Sequence, residues 1–199
     1  MSRTPLDACT DPELVARYRR DQSPVAVQEL VRRHERSVYA FAHRFLGDRE
    51  AAEDATQEVF VRAVRHLDGW DGRAQFRTWL FRIARNHCID AQRKAKLRKT
   101  ESLDAPSDPE GPPRSEGVAS DGPDPEGSLA GRQLAGAVAR AVDSLPPAQR
   151  EVLLLRREGE LSFKEIAEMI DVSENTVKSR MRYALEHLRT LLEREGFLS

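Results

Sequence analysis

The sequence is poor in the residues that build pockets for chemistry. Its 199 residues include only two cysteines, Cys9 and Cys88. There is no CxxC pair and no Cys/His cluster, so neither a zinc site nor a disulfide framework is expected. Cys88 follows His87, but adjacent residues on a helix point in different directions, and Cys88 reads as a reduced, packed thiol. The five histidines (His34, His43, His66, His87 and His187) are scattered and read mostly as surface or helix-face residues. There is no P-loop, no GxGxxG, no HExxH and no GxSxG, so no enzyme is expected, and no metal or cofactor. No apolar run approaches the ~20 residues of a membrane span. The N-terminus lacks the apolar stretch of a signal peptide, so a cytoplasmic protein with no membrane insertion is expected. Aromatic residues make up only 6%, beside 39% hydrophobic and 33% charged residues. That mixture suits compact helical bundles with charged faces and not a large β-rich core.

Charge is abundant but unevenly placed. The formal net charge is −1, yet residues 101–128 hold eight acidic residues against one basic, Arg114. The rest of the chain therefore carries 31 basic against 25 acidic residues, an asymmetry that points to polyanion binding by the flanks. The same stretch contains six prolines and four glycines with almost no large apolar side chain. It cannot bury enough surface to offset its ordering entropy, which predicts a flexible acidic linker over 99–129. It divides the chain into modules of 11–98 and 130–196.

Both modules read as all-α, with no strand-like alternation longer than a few residues. Helices are expected over about 11–20 and 24–46, the second ending at Gly47, a residue suited to the left-handed position after a helix. Asp48 then caps a third helix over about 49–66, with Glu50 and Glu53 favourably placed in its first turns. A loop from Leu67 to Gln75 holds two glycines and Trp70. A fourth helix runs from Phe76 to about Lys96. In the second module a helix over about 130–143 meets a turn at Leu145-Pro146-Pro147, because proline suits a helix's first turn but not its interior. The next helix runs to about Glu158 and stops at Gly159. Ser162 and Glu165 form a capping box for a short helix over about 163–170. Asp171-Val172 turns the chain, and Ser173 caps a last helix over about 174–195.

Three constellations stand out. Ile166, Ala167, Ile170, Val172 and Val177 are spaced to pack two short helices across a tight turn, as in a helix-turn-helix whose second helix enters the DNA major groove. Asn175, Thr176, Lys178, Ser179 and Arg182 lie mostly off its apolar stripe of Val177, Met181, Leu185 (or Ala184), Leu188 and Leu192. Lys178 is a candidate donor to guanine, Asn175 a partner for adenine and Arg180 a phosphate anchor. On the third helix Glu50, Glu53, Asp54, Gln57, Glu58 and Val61 form one mostly acidic stripe opposite Ala52, Ala55, Val59, Ala63 and Leu67. That face would repel phosphate; it is either a solvated surface or a dock for a basic partner. On the fourth helix Phe76, Trp79, Leu80, Ile83 and Ala84 are core-spaced, while Arg82, Arg85, Arg93 and Lys96 form a basic stripe flanked by Lys94, Arg98 and Lys99. Aromatics near a basic helix can stack on unpaired bases, which makes Trp70 and Asn86 candidates for single-strand contact. Asp90 and Arg93 are also spaced to pair with each other. These patterns leave open a stand-alone helix-turn-helix regulator and an adaptor acting only by protein contact.

Taken together, the segments resemble a known family. Ala51-Ala52-Glu53-Asp54-Ala55-Thr56-Gln57-Glu58-Val59-Phe60 is similar to conserved region 2.2 of bacterial sigma-70-type factors. Phe76-Arg77-Thr78-Trp79-Leu80-Phe81-Arg82-Ile83-Ala84-Arg85-Asn86, followed by Asp90 and Arg93, resembles regions 2.3 and 2.4 of the extracytoplasmic-function (ECF) subgroup. Leu145-Pro146-Pro147 through Leu188 resembles region 4. The likeness spans about 24–97 and 134–192. No segment resembles the middle domain or acidic N-terminal extension of housekeeping factors; the linker is long for the subgroup, and Glu174 is unusual beside phosphate.

The resemblance implies a factor that binds core RNA polymerase and directs promoter recognition and DNA melting. Asp54, Gln57 and Glu58 match the surface that docks on the clamp helices of the largest subunit. Trp70 through Gln75, with Arg85, Asn86 and Arg93, match the part that captures a flipped base in the downstream (−10) element. Residues 174–187, with Asn175, Thr176, Lys178, Ser179, Arg180 and Arg182, match the reader of the upstream (−35) element. The acidic linker corresponds to a segment that threads polymerase channels otherwise filled by nucleic acid. Promoter DNA and an anti-sigma factor are the further partners implied.

Overall fold

The computed structural model describes residues 6–103 and 129–198. Among them there is no strand, and the elements are helices: α1 (Asp11–Asp21), α2 (Pro24–Leu46), α3 (Arg49–Arg65), α4 (Phe76–Leu103), α5 (Leu129–Asp143), α6 (Pro147–Arg157), α7 (Phe163–Ile170) and α8 (Glu174–Arg194). Two short 3₁₀ turns, Leu6–Ala8 and Leu67–Gly69, were not foreseen. The residues gather into two compact units, one around α1–α4 and one around α5–α8.

Local chemistry sets most helix ends. Thr10 opens α1, its backbone N–H and hydroxyl both donating to Glu13 Oε2 at 2.6 and 2.9 Å. Gly47 closes α2 at φ +74°, where it meets no side-chain penalty. Asp48 Oδ1 then accepts from Ala51 N at 2.8 Å and starts α3. α4 continues well past Lys96, so residues 99–103 are helix and not linker. The reason is composition: from Phe76 to Leu103 there is no glycine or proline, and the last turns are rich in Arg, Lys, Ala and Leu, all strong helix formers. Leu129 is likewise helical. The remainder of the expected linker, 104–128, lies outside the described residues.

In the first unit α2 and α3 pack most extensively, and α1 lies against α2. Phe41 and Phe81 meet edge to face at 5.6 Å, both fully buried, and join α2 to α4 at the centre of the core. His34, expected on a helix face in solvent, is buried instead, its Nε2 2.7 Å from Asp11 Oδ2 and its ring against Phe76. The contact fastens α1 to α2. Burial alone would raise the Asp11 carboxyl, but the hydrogen bonds and charges of His34 and Arg33 outweigh it and hold the carboxyl below its ordinary value. Nearby, Glu29 accepts from Arg32 and Arg33 at 2.7–2.8 Å, while Arg33 also reaches the carbonyls of Leu6 and Cys9 and so ties down the N-terminal 3₁₀ turn.

In the second unit the core is drawn from Ala137, Ala141 and Val142 of α5, Val152–Leu155 of α6, Ile166 and Met169 of α7, and Val177, Met181 and Ala184 of α8. α8 packs on both α5 and α7. The buried line on α8 runs through Ala184; Leu185 is 54% exposed. Steps of four, three and four lead from Val177 through Met181 and Ala184 to Leu188, which keeps the stripe on one face and turns position 185 outward.

Candidate functional site

Three surfaces carry the residues singled out by sequence. The first is the outer face of α3. Its inner face is small: Ala52, Ala55, Val59 and Ala63 are all buried, and the Thr56 hydroxyl is satisfied by donating to the Ala52 carbonyl at 2.7 Å. Glu50, Glu53, Asp54 and Gln57 are exposed on the other side. Glu58 is half-buried and accepts from Arg62 Nε at 2.7 Å, and that hydrogen bond holds its carboxyl below the usual glutamate range. A shallow groove of about 320 Å³ runs beside this face, lined by Glu53, Thr56 and Gln57 of α3 and Glu35, Arg36 and Tyr39 of α2. The α2 residues were not singled out by sequence; they sit on a helix that otherwise reads as core, and only the packing of α2 on α3 brings them beside Gln57.

The second surface is the 70–75 loop with the exposed side of α4. Trp70 requires a correction. Its ring is 5% exposed, lies edge-on to Phe76 at 5.8 Å, and its indole N–H donates to the Ala74 carbonyl at 3.0 Å. A ring enclosed in this way has no open face to offer an unpaired base, so Trp70 is the loop's internal brace. The chain around it is outward: Asp71, Gly72, Arg73, Ala74 and Gln75 are all exposed. Gly72 takes φ +76°, and Arg73 N donates to Asp71 Oδ1 at 3.0 Å, which closes the tip on itself. Gln75 leads into α4. Arg82, Asn86 and Arg93 are exposed and step by four and seven, so they share one helix face. Arg85 is half-buried, with Nη1 3.4 Å from Asn86 Oδ1. The buried side of the same helix carries Phe76, Leu80, Phe81, Ala84 and Cys88. Burial pushes the Cys88 thiol up to about 12, as befits a packed and inert cysteine. Burial lowers the neighbouring His87, and the charge of Arg62 lowers it further.

The third surface is α7 and α8 with the turn between them. Ser162 and Glu165 form the expected capping box, with Ser162 N donating to Glu165 Oε2 at 2.8 Å and Glu165 N donating to Ser162 Oγ at 3.2 Å. Asp171 makes the turn at φ +54°, a left-handed conformation that aspartate tolerates better than most side chains. Ser173 Oγ accepts from Thr176 N at 3.1 Å and starts α8. Ile166, Ala167 and Val177 are buried across the turn, so this is a helix-turn-helix. Asn175, Lys178, Ser179 and Arg182 are exposed; Thr176 and Arg180 are half-buried. Glu174 is paired: its Oε1 is 2.7 Å from Lys178 Nζ. The Arg182 guanidinium lies over the Tyr183 ring at 4.8 Å and 3.8 Å from Glu186. Among the described residues no group of His, Cys, Asp and Glu could hold a metal ion, and no helix is long and apolar enough to cross a membrane.

A helix-turn-helix unit joined in one chain to a helical unit with an acidic stripe on α3 and a basic stripe on α4 is the arrangement of a two-part DNA-binding protein, and comparison with known proteins gives the family. Residues 30–98 match the Sigma-70 region 2 family and residues 135–188 match Sigma-70 region 4. The chain is 34% identical over 168 residues to the ECF RNA polymerase sigma factor SigW of Bacillus subtilis, covering 84% of this chain and 89% of that protein. It is 30% identical over 181 residues to the ECF RNA polymerase sigma-E factor of Escherichia coli, covering 89% and 91%. A solved structure of CnrH in complex with the cytosolic domain of CnrY aligns with a TM-score of 0.65 at 26% identity, over 92% of this chain and 97% of that one. The fold is also that of the sigma factor RpoE from Bartonella quintana, solved in complex with the anti-sigma factor NepR (TM-score 0.68, 23% identity, 83% and 96% covered). The protein belongs to the ECF sigma factors, which direct RNA polymerase to specific promoters and so start transcription.

Proposed function

We propose that this sigma factor divides its work among the three surfaces. The outer face of α3, with Asp54, Gln57 and Glu58, docks on the clamp helices of the largest polymerase subunit. The exposed loop with Gln75, together with Arg85, Asn86 and Arg93 of α4, holds an unpaired base of the downstream element. Asn175, Thr176, Lys178, Ser179, Arg180 and Arg182 of α8 read the upstream element and its phosphates. The modules of 11–98 and 130–196 act as two promoter grips on an acidic tether that follows polymerase channels built for nucleic acid. An anti-sigma factor holds the protein inactive in the cytoplasm; CnrH and the Bartonella factor, each solved with such a partner or with a named binding domain, support that reading.

The observation that carries the proposal is the separation of chemistries. The acidic residues of α3 and the basic residues of α4 are exposed on different helices of one compact unit, so one face attracts a basic protein surface while the other attracts DNA. Unstacking a base costs a few kcal/mol. With Trp70 withdrawn into the core, the offset comes from hydrogen bonds by Gln75 and Asn86 and from stacking or phosphate contact by the arginines. The test is transcription from promoter libraries by core polymerase supplied with the purified chain, with transcript starts sequenced. Asp54→Arg should abolish co-purification with core polymerase while the helical signal survives, since Asp54 is exposed. Normal co-purification would reject the α3 dock.

A further inference from the structure

We propose that Arg19 is a positioning residue for base selection by the 71–75 loop. The proposal rests on the reading of that loop as the base-holding element. Arg19 lies on α1, outside residues 30–98 that match the sigma region 2 family. Its Nη2 reaches three backbone carbonyls at once: Leu67 at 2.6 Å, Asp68 at 3.0 Å and Trp70 at 2.5 Å. Its Nε lies 3.8 Å from Asp68 Oδ1.

Three carbonyls drawn from four consecutive residues cannot converge without mutual repulsion. They also lie just beyond the C-terminus of α3, where the helix dipole adds negative potential. A guanidinium is suited to such a place, being permanently charged and rich in donors. The Arg19 contact therefore fixes the path of the chain from Leu67 to Trp70. Trp70 carries that placement outward, because its indole N–H holds the Ala74 carbonyl. The tip is exposed and closed on itself by the Asp71–Arg73 bond, so its position depends on this base. The order of support runs from Arg19 to the Trp70 backbone, from the Trp70 ring to Ala74, and from Ala74 to Gln75. Arg19 touches no DNA in this scheme; it sets where Gln75 is presented.

The experiment uses the full chain with core RNA polymerase and a promoter library randomised through the downstream element, with the upstream element fixed. The readout is the ratio of transcripts from the preferred base to the others at each randomised position. Arg19→Met keeps a long apolar stem and removes every donor. Arg19→Lys restores a cation with three donors on one nitrogen. Gln75→Ala tests the loop itself. A chain that merely loses folded fraction lowers all transcripts together and leaves the ratios alone. Arg19→Met is expected to shrink the ratio about tenfold, the scale on which one base is discriminated. The effect should fall at the same position that responds to Gln75→Ala, and Arg19→Lys should recover most of it. The proposal is overturned if Arg19→Met leaves the ratios intact, or flattens every position equally. If Gln75→Ala moves a position and Arg19→Met does not, the proposal alone falls. If neither variant moves any ratio, the loop reading falls with it.

Discussion

Replacing Trp70 by alanine should destabilise the first unit far more than it should alter any direct contact with DNA. The indole is almost fully enclosed, packs edge-on against Phe76 and closes the loop through Ala74. Truncating a buried tryptophan to alanine costs ~3–5 kcal/mol, a large share of a domain's usual ~5–15 kcal/mol. With a mid-range urea dependence of ~2 kcal/mol per molar, the unfolding midpoint should fall by roughly 1.5–2.5 M. Trp70→Phe keeps an aromatic edge beside Phe76 and gives up one hydrogen bond, so it should cost only ~0.5–1.5 kcal/mol. The measurement is urea unfolding followed by far-ultraviolet circular dichroism. If Trp70→Ala shifts stability by no more than the ~0.5 kcal/mol of a surface substitution, the ring is open to solvent, and the enclosed-brace reasoning is refuted.

On α8, Lys178→Ala should weaken selection of the upstream element, and Glu174→Gln should tighten DNA binding by about two- to five-fold by releasing Lys178 and removing a charge repelled by phosphate. Unchanged promoter preference and affinity in a transcription and binding assay would exclude both roles. Hydrogen bonds from Arg32 and Arg33 hold the Glu29 carboxyl down to about 2 against an ordinary 4.5. A carboxyl lowered in the folded state stabilises fully above its unfolded value, so this contribution should fade as pH falls from about 4.5 through about 2. Glu29→Gln should flatten the acid limb of a stability-against-pH curve across that window, and an identical slope in the variant would contradict the pairing. Cys88, buried and raised to about 12, should resist iodoacetamide at pH 8, where only ~10⁻⁴ of such a thiol is ionised. In a Cys9→Ser background its alkylation should follow urea unfolding, and rapid labelling of the native chain would show that the helix core is open.

What could be read from the residues depended on how local the deciding contact was. α2 spans Pro24–Leu46 as expected because Pro24 suits a first turn and Gly47 a left-handed stop. Asp48, Ser162 and Ser173 each satisfy an N–H three residues on, so their helices began where the capping residues indicated. Trp70 shows the opposite case. A lone aromatic between two glycines, beside a basic helix, looks like an exposed stacking group. Its burial is set by Phe76 across the loop and by the Arg19 fork on the carbonyls beneath it, 48 to 51 positions away in the chain. His34 is an exception among the scattered histidines for the same reason, its partner being Asp11 on a different helix. The choice between Ala184 and Leu185 was left open because hydrophobicity favours leucine, while the helical repeat favours alanine; packing followed the repeat. α4 runs beyond the expected Lys96 because no glycine or proline interrupts the chain until Pro106.

The alanine-lined inner face of α3 has a bearing on how this protein can change. Ala52, Ala55 and Ala63 have no rotatable side chains, so the packing beneath the helix depends little on substitutions above it. The exposed polar side chains of Glu50, Asp54 and Gln57 can therefore be exchanged one at a time at little cost to the fold. By contrast, a single added methylene at Ala55 would lift the helix from α2 and displace the whole outer row together. Two sequence alphabets share one helix: a fixed one that sets its height above the core, and a free one in which affinity for a partner can drift.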